Sequence, residues 1–386
     1  MVDLKNWLNQ QREKGGLRSL RPVLRRGNGR LTLAGDGERE LIDFSSNDYL
    51  GLAGHPALIA AAHEALSKFG AGSGAARLMS GDLVVHHELE EAVALLKGKE
   101  AALTFGSGYM ANTGIIAALV TRNDRIFSDR LNHASIHDGC RLSGGRLVRF
   151  RHNDLNHLEE LLKEKRGTGT ALIVVESIYS MDGDRCPLRE LVQLKERFGC
   201  LLMVDEAHAT GVFGPHGGGV IEEDGVGSGV DLAMGTFGKG LGSYGAYVAA
   251  NREMIEYLLN RARSFIFSTA LPPAVAAASL AAVHLVRQNP DLRRELHEKI
   301  DYFKGLLRKG GYDADLGPSQ IIPILVGESG EALNKAHLLG KRGIFATAVR
   351  PPTVPEGTAR LRFSITRHHS TADLSLAAAA LLEIMD

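Results

Sequence analysis

The sequence predicts an α/β fold with a mainly parallel sheet, followed by a smaller α+β domain. Between residues 101 and 250, seven apolar runs of strand length alternate with amphipathic helical patterns. Several of these runs are apolar on both faces, as strands covered by helices on each side are. Beyond residue 250, alanine- and leucine-rich helices precede fewer, more separated strand patterns, which favours an α+β unit there. We therefore expect an N-terminal segment (1–45), a large domain (46–290) and a small C-terminal domain (291–386).

Each predicted element has its own sequence pattern. An amphipathic pattern at 2–14 predicts a helix, and short strand patterns follow near 30–34 and 40–44. Helical patterns connect most strands of the large domain, as at 154–165 and 187–198. Those strands are AALTF (101–105), RIFSD (125–129), GRLVRF (145–150), ALIVVES (171–177), CLLMVDEA (200–207), VDLAMGT (230–236) and YGAYVAA (244–250). The small domain is predicted to contain a strand at 321–327, a helix near 330–342, strands at 344–350 and 359–366, and a closing helix at 371–385.

Charge and composition exclude one class of function. The 386 residues include 45 Lys plus Arg and 45 Asp plus Glu, so the formal net charge is zero. A general nucleic-acid binder normally carries a basic excess, so we expect no nucleic-acid partner. Segment 12–30 is a local exception, because it is rich in arginine and has Glu13 as its one acid. This segment is either a solvated basic arm or a site for an anionic substrate.

Cysteine usage and hydropathy predict a cytoplasmic protein. Three widely separated cysteines, Cys140, Cys186 and Cys200, give neither a disulfide framework nor a metal-ligand spacing, so we expect no metal site. A reducing compartment suits such a set. The first residues, MVDLKNWLNQQREKGG, lack the apolar core of a signal peptide. No apolar run approaches the ~18 residues that a membrane span needs, so we expect no membrane association.

A lysine among glycines is the most unusual local feature. In GTFGKGLGSYG (235–245), Lys239 has glycine on both sides, a residue that destabilises regular structure. Three interpretations compete: a surface turn, a phosphate-binding loop, and a lysine that must approach a large flat ligand. A Walker-type loop requires G-x-x-x-x-G-K-[ST], but Ala233 occupies the first glycine position and Gly240 follows the lysine. The phosphate-loop interpretation of this stretch therefore fails twice.

A second glycine-rich turn lies at 106–111. Its residues, GSGYMA, match G-x-G-x-x-[GA], follow a predicted strand and begin a predicted helix. The match alone is weak, because glycines are common at strand–helix turns. The turn is either a simple connection or a phosphate site, since the start of a helix presents backbone N–H groups and the positive end of its dipole. A nicotinamide dehydrogenase would use the same turn, but it would leave Lys239 and its glycines unexplained.

Polar side chains converge on one edge of the predicted sheet. Asp205 ends the apolar strand LLMV, and His208 follows three residues later. His133, Ser180 and Lys239 occupy similar positions after three other strands. The carboxyl ends of parallel strands are where α/β sheets bind ligands. Together with a phosphate-binding turn, this set indicates pyridoxal 5'-phosphate (PLP), which needs a lysine, an acid beside its ring nitrogen and phosphate donors.

Longer motifs make the sequence resemble the α-oxoamine synthases over nearly the whole chain. The motifs that carry the resemblance are FSSNDYLGL (44–52), GSGAARLMSG (72–81), SGYMAN (107–112), DRLNHAS (129–135), ESIYSMDGD (176–184), VDEAHATGVFG (204–214), TFGKGLG (236–242), FSTALPP (267–273) and RPPTVPEGTARLR (350–362). One departure is Gly238, where many members of the superfamily have serine, and it removes a hydroxyl contact to the phosphate. The resemblance implies the fold of PLP-dependent transferases of fold type I, in a homodimer with shared active sites.

The resemblance also implies roles for individual residues. Lys239 would carry the cofactor covalently, Asp205 would pair with its ring nitrogen, and His133 would stack on its ring. His208 would hydrogen-bond the ring oxygen, with Ser180 nearby. The implied phosphate ligands are Ser107, Gly108, Tyr109 and Thr236, joined by Ser268 and Thr269 from the neighbouring subunit. The implied substrate ligands are Arg362 and Asn47 for the amino-acid carboxylate, and Arg18 and Thr353 for the acyl substrate.

The implied reaction is a decarboxylative condensation. The motif RPPTVPEGTARLR (350–362) resembles the member of the family in biotin biosynthesis, which joins L-alanine to pimeloyl-CoA or to a pimeloyl group on a carrier protein. Two alternatives stay open within the fold: glycine C-acetyltransferase, which is a sister enzyme, and a catalytically inactive regulator. The presence of Lys239, Asp205 and His133 argues against the inactive regulator.

Overall fold

The computed structural model describes residues 3–13, 16–35, 37, 39–312 and 315–385. Contacts within the chain divide it into two compact units. The first unit comprises Met1–Gly51, Met181–Asp184 and Glu295–Asp386, and the second comprises Leu52–Ser180 and Arg185–Arg294. The predicted helix at 2–14 is present as Leu4–Glu13, and its predicted end residues lie outside the described part.

The elements of the described ranges follow the chain in this order. The strands are β1 (Val23–Gly27), β2 (Arg30–Leu33), β3 (Glu40–Asp43), β4 (Ala101–Phe105), β5 (Arg125–Asp129), β6 (Arg146–Phe150), β7 (Ala171–Glu176), β8 (Leu201–Asp205), β9 (Leu232–Thr236), β10 (Ala246–Ala250), β11 (Ile321–Gly327), β12 (Ile344–Phe345), β13 (Thr347–Val349) and β14 (Ala359–Ser364). The helices are α1 (Leu4–Glu13), α2 (Pro56–Phe69), α3 (Val84–Lys97), α4 (Gly108–Leu119), α5 (Ala134–Ser143), α6 (Leu155–Lys165), α7 (Leu188–Phe198), α8 (Val220–Asp224), α9 (Arg252–Arg261), α10 (Arg263–Ile266), α11 (Pro273–Gln288), α12 (Asp291–Lys309), α13 (Ser329–Lys341) and α14 (Thr371–Met385).

A seven-stranded sheet forms the centre of the second unit, with the strand order β4-β10-β9-β8-β7-β5-β6. Strands β9, β8, β7, β5 and β6 pair in parallel, whereas β10 pairs antiparallel with both β9 and β4. The prediction of a mainly parallel sheet is therefore confirmed. Because β4 is antiparallel to β10, it runs in the same direction as the parallel strands. The carboxyl ends of β4 and of the parallel strands consequently lie at the same edge of the sheet.

Burial explains why these apolar runs become strands. Every side chain of β7 is buried, and the same holds for β9 and β10. Helices cover the sheet with one apolar stripe each: in α7, Leu188, Leu191 and Leu194 are buried, three residues apart. The turn before α6 is stabilised by Asp154, whose carboxylate accepts the His157 N–H at 2.8 Å. The buried acids Asp129, Glu176 and Asp205 stand at the last positions of β5, β7 and β8, at the edge where the loops begin.

The first unit contains two smaller sheets, and one predicted strand is wrong. The run at 344–350, predicted as a single strand, is divided into β12 and β13, which belong to different sheets. Ile344 in β12 pairs in parallel with Ile42 in β3, and Thr347 in β13 pairs antiparallel with Arg362 in β14. The apolar pattern continues through the division, so only the change of hydrogen-bond partner separates the two strands. One stretch of chain thus joins the sheet β1-β2-β3-β12 to the sheet β11-β14-β13.

Proline marks both ends of helix α11. Helix α11 begins at Pro273, a position at which the missing proline N–H has no intrahelical acceptor to lose. Pro290 then separates α11 from α12, as a proline after a helix end often does.

Among the helices in the described ranges, none combines the length and the hydropathy that a bilayer crossing requires.

Candidate active site

The predicted site residues of the second unit lie in loops at one edge of its sheet. These loops follow β4, β5, β7, β8 and β9, whose carboxyl ends meet at that edge. The loops carry Ser107, His133, Ser180, His208 and Lys239, while Gly108 and Tyr109 begin α4, and Asp205 and Thr236 are the last residues of β8 and β9. The convergence that the strand pattern predicted is therefore present in the fold.

Lys239 lies in the turn after β9 and contacts a histidine from the turn after β8. Its Nζ atom is 2.8 Å from Nε2 of His208, which is buried. Thr236 stabilises the lysine's turn, because its hydroxyl donates to the Gly245 carbonyl at 2.7 Å and accepts the Gly238 N–H at 3.1 Å. The Thr236 hydroxyl, predicted as a phosphate ligand, is thus also a structural part of the turn that holds the amine.

Two glycines that follow Lys239, Gly240 and Gly242, are required by the packing of the protein itself. A Cβ at Gly240 would lie 2.7 Å from the Thr210 carbonyl oxygen, in the turn that carries His208. Gly242 has a φ of +63°, and a Cβ there would lie 2.4 Å from the Ala53 nitrogen. The sequence suggested that these glycines keep space for a flat ligand. The structure adds that they let two loops of the site pack directly against neighbouring backbone.

Asp205 is a buried carboxylate held by two N–H donors. Its Oδ1 accepts the Ala207 N–H at 2.9 Å, and its Oδ2 accepts Nδ2 of Asn112 at 2.9 Å. Asn112 lies in α4 and is itself buried. These donors fix the direction of the carboxylate and leave it able to accept a further hydrogen bond from a protonated ring nitrogen.

His133 directly precedes α5 and acts as its N-cap. Its Nδ1 accepts the Ser135 N–H at 3.2 Å and lies 2.7 Å from the Ser135 hydroxyl. His133 is exposed at the surface of its unit, so a flat ligand can reach it. Partial burial lowers the pKa of His133; the charge of Asp205 raises it and that of Lys239 lowers it. At neutral pH these effects favour a neutral imidazole.

Glu176 is a site residue to which the sequence assigned no role. It ends β7 beside Asp205 in the parallel register, and its Oε1 accepts the His133 N–H at 2.5 Å. Burial first, and then the charge of Asp205, raise the pKa of Glu176 to about 8, although Lys239 opposes them. Its position at the end of a fully buried strand, next to Ser177 in the motif ESIYSMDGD, was the available signal.

Replacement of Glu176 by glutamine should change how the stability of the protein depends on pH, because the Glu176 carboxyl is protonated in the folded state. In the unfolded chain the carboxyl ionises near its ordinary value of 4.5, whereas in the folded protein it stays protonated up to about pH 8. Its contribution to stability is therefore complete below about pH 4.5 and is lost as the pH rises towards 8. Glu176→Gln keeps the shape of the side chain and stays neutral at every pH. The free energy of unfolding of the variant, relative to that of wild type, should therefore increase by a few kcal/mol as the pH rises from 4.5 to 8, at ~1.4 kcal/mol per pKa unit.

The measurement is urea unfolding of the cofactor-free protein across this pH range. Glu64→Gln is a suitable control, because Glu64 lies in α2 and is exposed. Parallel stability curves for wild type and Glu176→Gln would contradict the prediction.

The beginning of α4 forms the predicted phosphate site. Ser107 is its N-cap, and its hydroxyl accepts the Met110 N–H at 3.2 Å. The N–H groups of Gly108 and Tyr109 belong to the first turn, where no intrahelical acceptor exists. The Tyr109 hydroxyl donates to Asp138, so this residue offers its backbone rather than its phenol to an anion. Ser180 is buried in the turn after β7.

Ser268 and Thr269 lie beside the same helix start in their own chain. They line a small cavity together with Arg77, Gly106 and Met110. Thr269 also forms an isolated antiparallel bridge with Ala76, in the motif GSGAARLMSG. The two motifs FSTALPP and GSGAARLMSG therefore form one surface near the start of α4.

The predicted carboxylate ligands belong to the first unit, where they contact each other. Arg362 in β14 is buried, and its guanidinium donates to the Ser364 hydroxyl at 2.7 Å and to Asn47 Oδ1 at 3.3 Å. The nearby Arg360 forms an ion pair with Asp182. The structure thus distinguishes the two arginines of the strand, since a carboxylate of the protein already pairs with Arg360.

The predicted acyl-substrate ligands also contact each other within the first unit. Nη2 of Arg18 donates to the Thr353 hydroxyl at 3.1 Å. Arg350 belongs to the same group, because burial and then the charge of Arg18 lower the pKa of Arg350. The sequence did not single out Arg350, although it begins the motif RPPTVPEGTARLR. Two arginines and a hydroxyl form a group that suits an anionic substrate.

The donors and acceptors of the second unit fit PLP. The amine of Lys239 lies within hydrogen-bond distance of His208, which suits a lysine that reacts with an aldehyde. The buried Asp205 carboxylate suits a positive ring nitrogen, and the first turn of α4 suits a phosphate. Loops at a single sheet edge carry all of these groups.

Comparison with known proteins identifies the family. The model of the family "Aminotransferase class I and II" matches residues 39–381. An 8-amino-7-oxononanoate synthase of Geobacter sulfurreducens is 52% identical over 380 residues, which cover 98% of this chain and 96% of that protein. The enzyme of the same name from Pelobacter propionicus is 52% identical over 379 residues, with the same coverage of both chains.

Solved structures give the same result for the fold. A serine palmitoyltransferase of S. paucimobilis, with a bound PLP–myriocin aldimine, superimposes with a TM-score of 0.94 at 30% identity, covering 100% of this chain and 98% of that one. An 8-amino-7-oxononanoate synthase of Francisella tularensis gives a TM-score of 0.76 at 28% identity, covering 89% and 97%. The chain has the fold of PLP-dependent enzymes, as expected. It belongs to the 8-amino-7-oxononanoate synthase family, within the class I and II aminotransferases.

Proposed function

We propose that this chain catalyses the decarboxylative condensation of L-alanine with a pimeloyl thioester, carried by CoA or a carrier protein, in biotin biosynthesis. The observation that supports this most is the contact of the Lys239 amine with His208, at the sheet edge that also carries Asp205. It occurs in a chain whose curated relatives, at about half identity, are named 8-amino-7-oxononanoate synthases. The chemistry of the residues and the names of the relatives support the same reaction.

The residues of the second unit would bind PLP and move the proton. Bound PLP supplies an electron-withdrawing ring that makes the α-proton of alanine acidic. Asp205 would hold the ring nitrogen protonated, His133 would lie against the ring, and His208 would hydrogen-bond the ring oxygen, with Ser180 nearby. The phosphate would be held by Ser107, Gly108, Tyr109 and Thr236. Lys239 would take the α-proton on Nζ, a role for which a positioned amine is suited.

The residues of the first unit would bind the substrates. Arg362 and Asn47 would hold the alanine carboxylate, and Arg18 and Thr353 would contact the acyl substrate. In the overall reaction a bond forms between the alanine α-carbon and the thioester carbonyl carbon, and the thioester C–S bond breaks. The thiol leaves, and the alanine carboxyl group is lost as carbon dioxide.

The test of the function is an assay of the purified protein with PLP. L-Alanine and pimeloyl-CoA should give free CoA and a product with the mass of 8-amino-7-oxononanoate. Glycine with acetyl-CoA is the comparison, because the sister enzyme glycine C-acetyltransferase uses that pair. Faster turnover of glycine and acetyl-CoA would replace the proposed function by the acetyltransferase activity.

Arg362→Ala should weaken alanine binding by at least about 10²-fold, with PLP still bound. A buried charge-assisted pair broken on one side typically loses ~3–5 kcal/mol, and tenfold corresponds to ~1.4 kcal/mol. Equilibrium dialysis of labelled alanine against the PLP-loaded protein measures the dissociation constant directly. The matched control is Arg360→Ala, which removes the ion pair with Asp182 and should reduce stability rather than alanine affinity. A loss of affinity in Arg360→Ala alone would show that the wrong arginine was assigned.

We also propose a cytoplasmic homodimer in which Ser268 and Thr269 reach the PLP phosphate of the partner subunit. The resemblance to a dimeric family with shared sites motivates the partner role, whereas both residues also lie near the start of α4 in their own chain, so the experiment must distinguish the two sites. Lys239→Ala subunits mixed with subunits changed at both Ser268 and Thr269 should then regain activity, because each hybrid dimer contains one undamaged site. Native mass spectrometry shows whether hybrids have formed. Hybrids without activity would assign both residues to the site of their own subunit.

A further inference from the structure

A chain of hydrogen bonds connects Asp205 to His133 through two buried residues that have no assigned role. Nδ2 of Asn112 lies 2.9 Å from Asp205 Oδ2 and also 2.9 Å from the Ser135 hydroxyl. That hydroxyl in turn lies 2.7 Å from Nδ1 of His133. Asn112 and Ser135 are both buried, so water does not compete for the two bonds of Asn112, whereas the bond to His133 is partly buried.

Donors and acceptors fix the direction of this chain. A carboxylate accepts, so the Asn112 amide must direct its NH₂ group, rather than its oxygen, towards Asp205. The second N–H of the same NH₂ group then points at Ser135, whose oxygen accepts it. The Ser135 hydroxyl proton is therefore available to His133, and Nδ1 of the ring accepts it.

Two further observations support this direction. The backbone N–H of Ser135 also donates to His133 Nδ1, so two donors face the same ring nitrogen. In addition, Asn112 Oδ1 is buried and has no hydrogen-bond partner among the described residues. A buried carbonyl without a donor is unfavourable, so its presence indicates that the two N–H contacts determine how Asn112 is oriented.

We propose that Asn112 and Ser135 are positioning residues that hold His133 as the neutral tautomer with its proton on Nε2, and that couple this tautomer to the direction of the Asp205 carboxylate. The inference deepens the proposed function, because it rests on the roles of His133 and Asp205 at PLP. The ring that stacks on the cofactor is then uncharged, and its outer nitrogen is a hydrogen-bond donor. The carboxylate and the imidazole, from the loops after two different strands, are oriented by one asparagine.

Nitrogen NMR of isotope-labelled histidine tests the proposal in the cofactor-free protein, with His133→Gln to assign the signal. Wild type should show a neutral His133 ring with the proton on Nε2. Ser135→Ala and Asn112→Leu should each populate the other tautomer measurably, because Nδ1 loses the hydroxyl at 2.7 Å or the bond that directs it and keeps only the longer contact from the Ser135 backbone N–H, at 3.2 Å. The controls are Ser143→Ala in α5 and Thr113→Val in α4, whose hydroxyls donate to backbone carbonyls.

The affinity for PLP separates the two positioning residues. Asn112→Leu should raise the PLP dissociation constant about 10- to 100-fold, the usual effect of losing a hydrogen bond to a charged group. Ser135→Ala does not touch Asp205 and should leave this constant as in Ser143→Ala. A charged or Nδ1-protonated ring in wild type would overturn the proposal, as would a Ser135→Ala tautomer identical to that of its control. If Asn112→Leu does not fold, Ser135→Ala decides alone, and no outcome depends on which substrates are condensed.

Discussion

Lys239→Ala should lose condensation activity by several orders of magnitude while still binding PLP without a covalent link. A primary amine is required both to hold the cofactor aldehyde and to take the α-proton, and no neighbouring group can replace it. In the structure, His208 lies 2.8 Å from Nζ, but it is an imidazole and cannot form the same linkage. Because Asp205 and the start of α4 are unchanged in the variant, non-covalent binding of PLP should persist.

Mass spectrometry after borohydride reduction checks the assignment in wild type. The reduced pyridoxyl group should lie on the peptide that contains Lys239. Lys163→Ala is the matched control, since Lys163 is exposed in α6 and forms an ion pair with Glu159. An adduct on any other lysine would refute the assignment, whatever the activity of the variants.

Asp205→Asn should lower the rate of α-proton exchange in alanine by at least about 10²-fold. Without an anion beside it, the ring nitrogen loses its proton more readily, and two pKa units correspond to ~2.7 kcal/mol or 10²-fold. The amide can still accept the Ala207 N–H, but its NH₂ group would face the NH₂ group of Asn112. Exchange of the alanine α-proton with deuterium, followed by NMR, measures this step without the acyl substrate.

The double variant Asn112→Asp, Asp205→Asn separates charge from packing. It returns a carboxylate to the pair, but on the α4 side of the hydrogen bond. If the slower α-proton exchange of Asp205→Asn came only from the contact between the two NH₂ groups at positions 112 and 205, the double variant should recover most of the exchange rate. Exchange at the wild-type rate in the single variant would instead show that Asp205 is a structural acid.

The sequence predicted most of the sheet because burial governs it. Strands such as β7 are apolar throughout, so they are recognisable without any knowledge of their neighbours. The division of 344–350 into two strands was not predictable in this way. The division depends on which strands lie beside the chain, β3 for β12 and β14 for β13. The periodicity of apolar residues in the sequence carries no information about these neighbours.

The same distinction applies to the site. Lys239, Asp205, His208 and His133 stand in motifs whose chemistry is recognisable from residue type and position. Glu176, Asn112 and Ser135 lie in equally specific motifs, but their contacts join residues that are distant in the chain. The sequence separation of 93 from Asn112 to Asp205 shows the difficulty, since only the folded sheet edge brings the two together.

The divided strand at 344–349 orders the proposed carboxylate ligands, Arg362 and Asn47, before any substrate binds. Strand β12 pairs with β3, which ends shortly before Asn47, while β13 places Thr347 opposite Arg362. The backbone of residues 344–349 therefore sets the distance between Asn47 and Arg362. Since the fold has already ordered both side chains, alanine would bind with little further loss of conformational entropy. An extra residue inserted at Ala346 would lengthen this connection and disturb the spacing of Asn47 and Arg362. Binding of alanine would then include the entropic cost of ordering these two side chains.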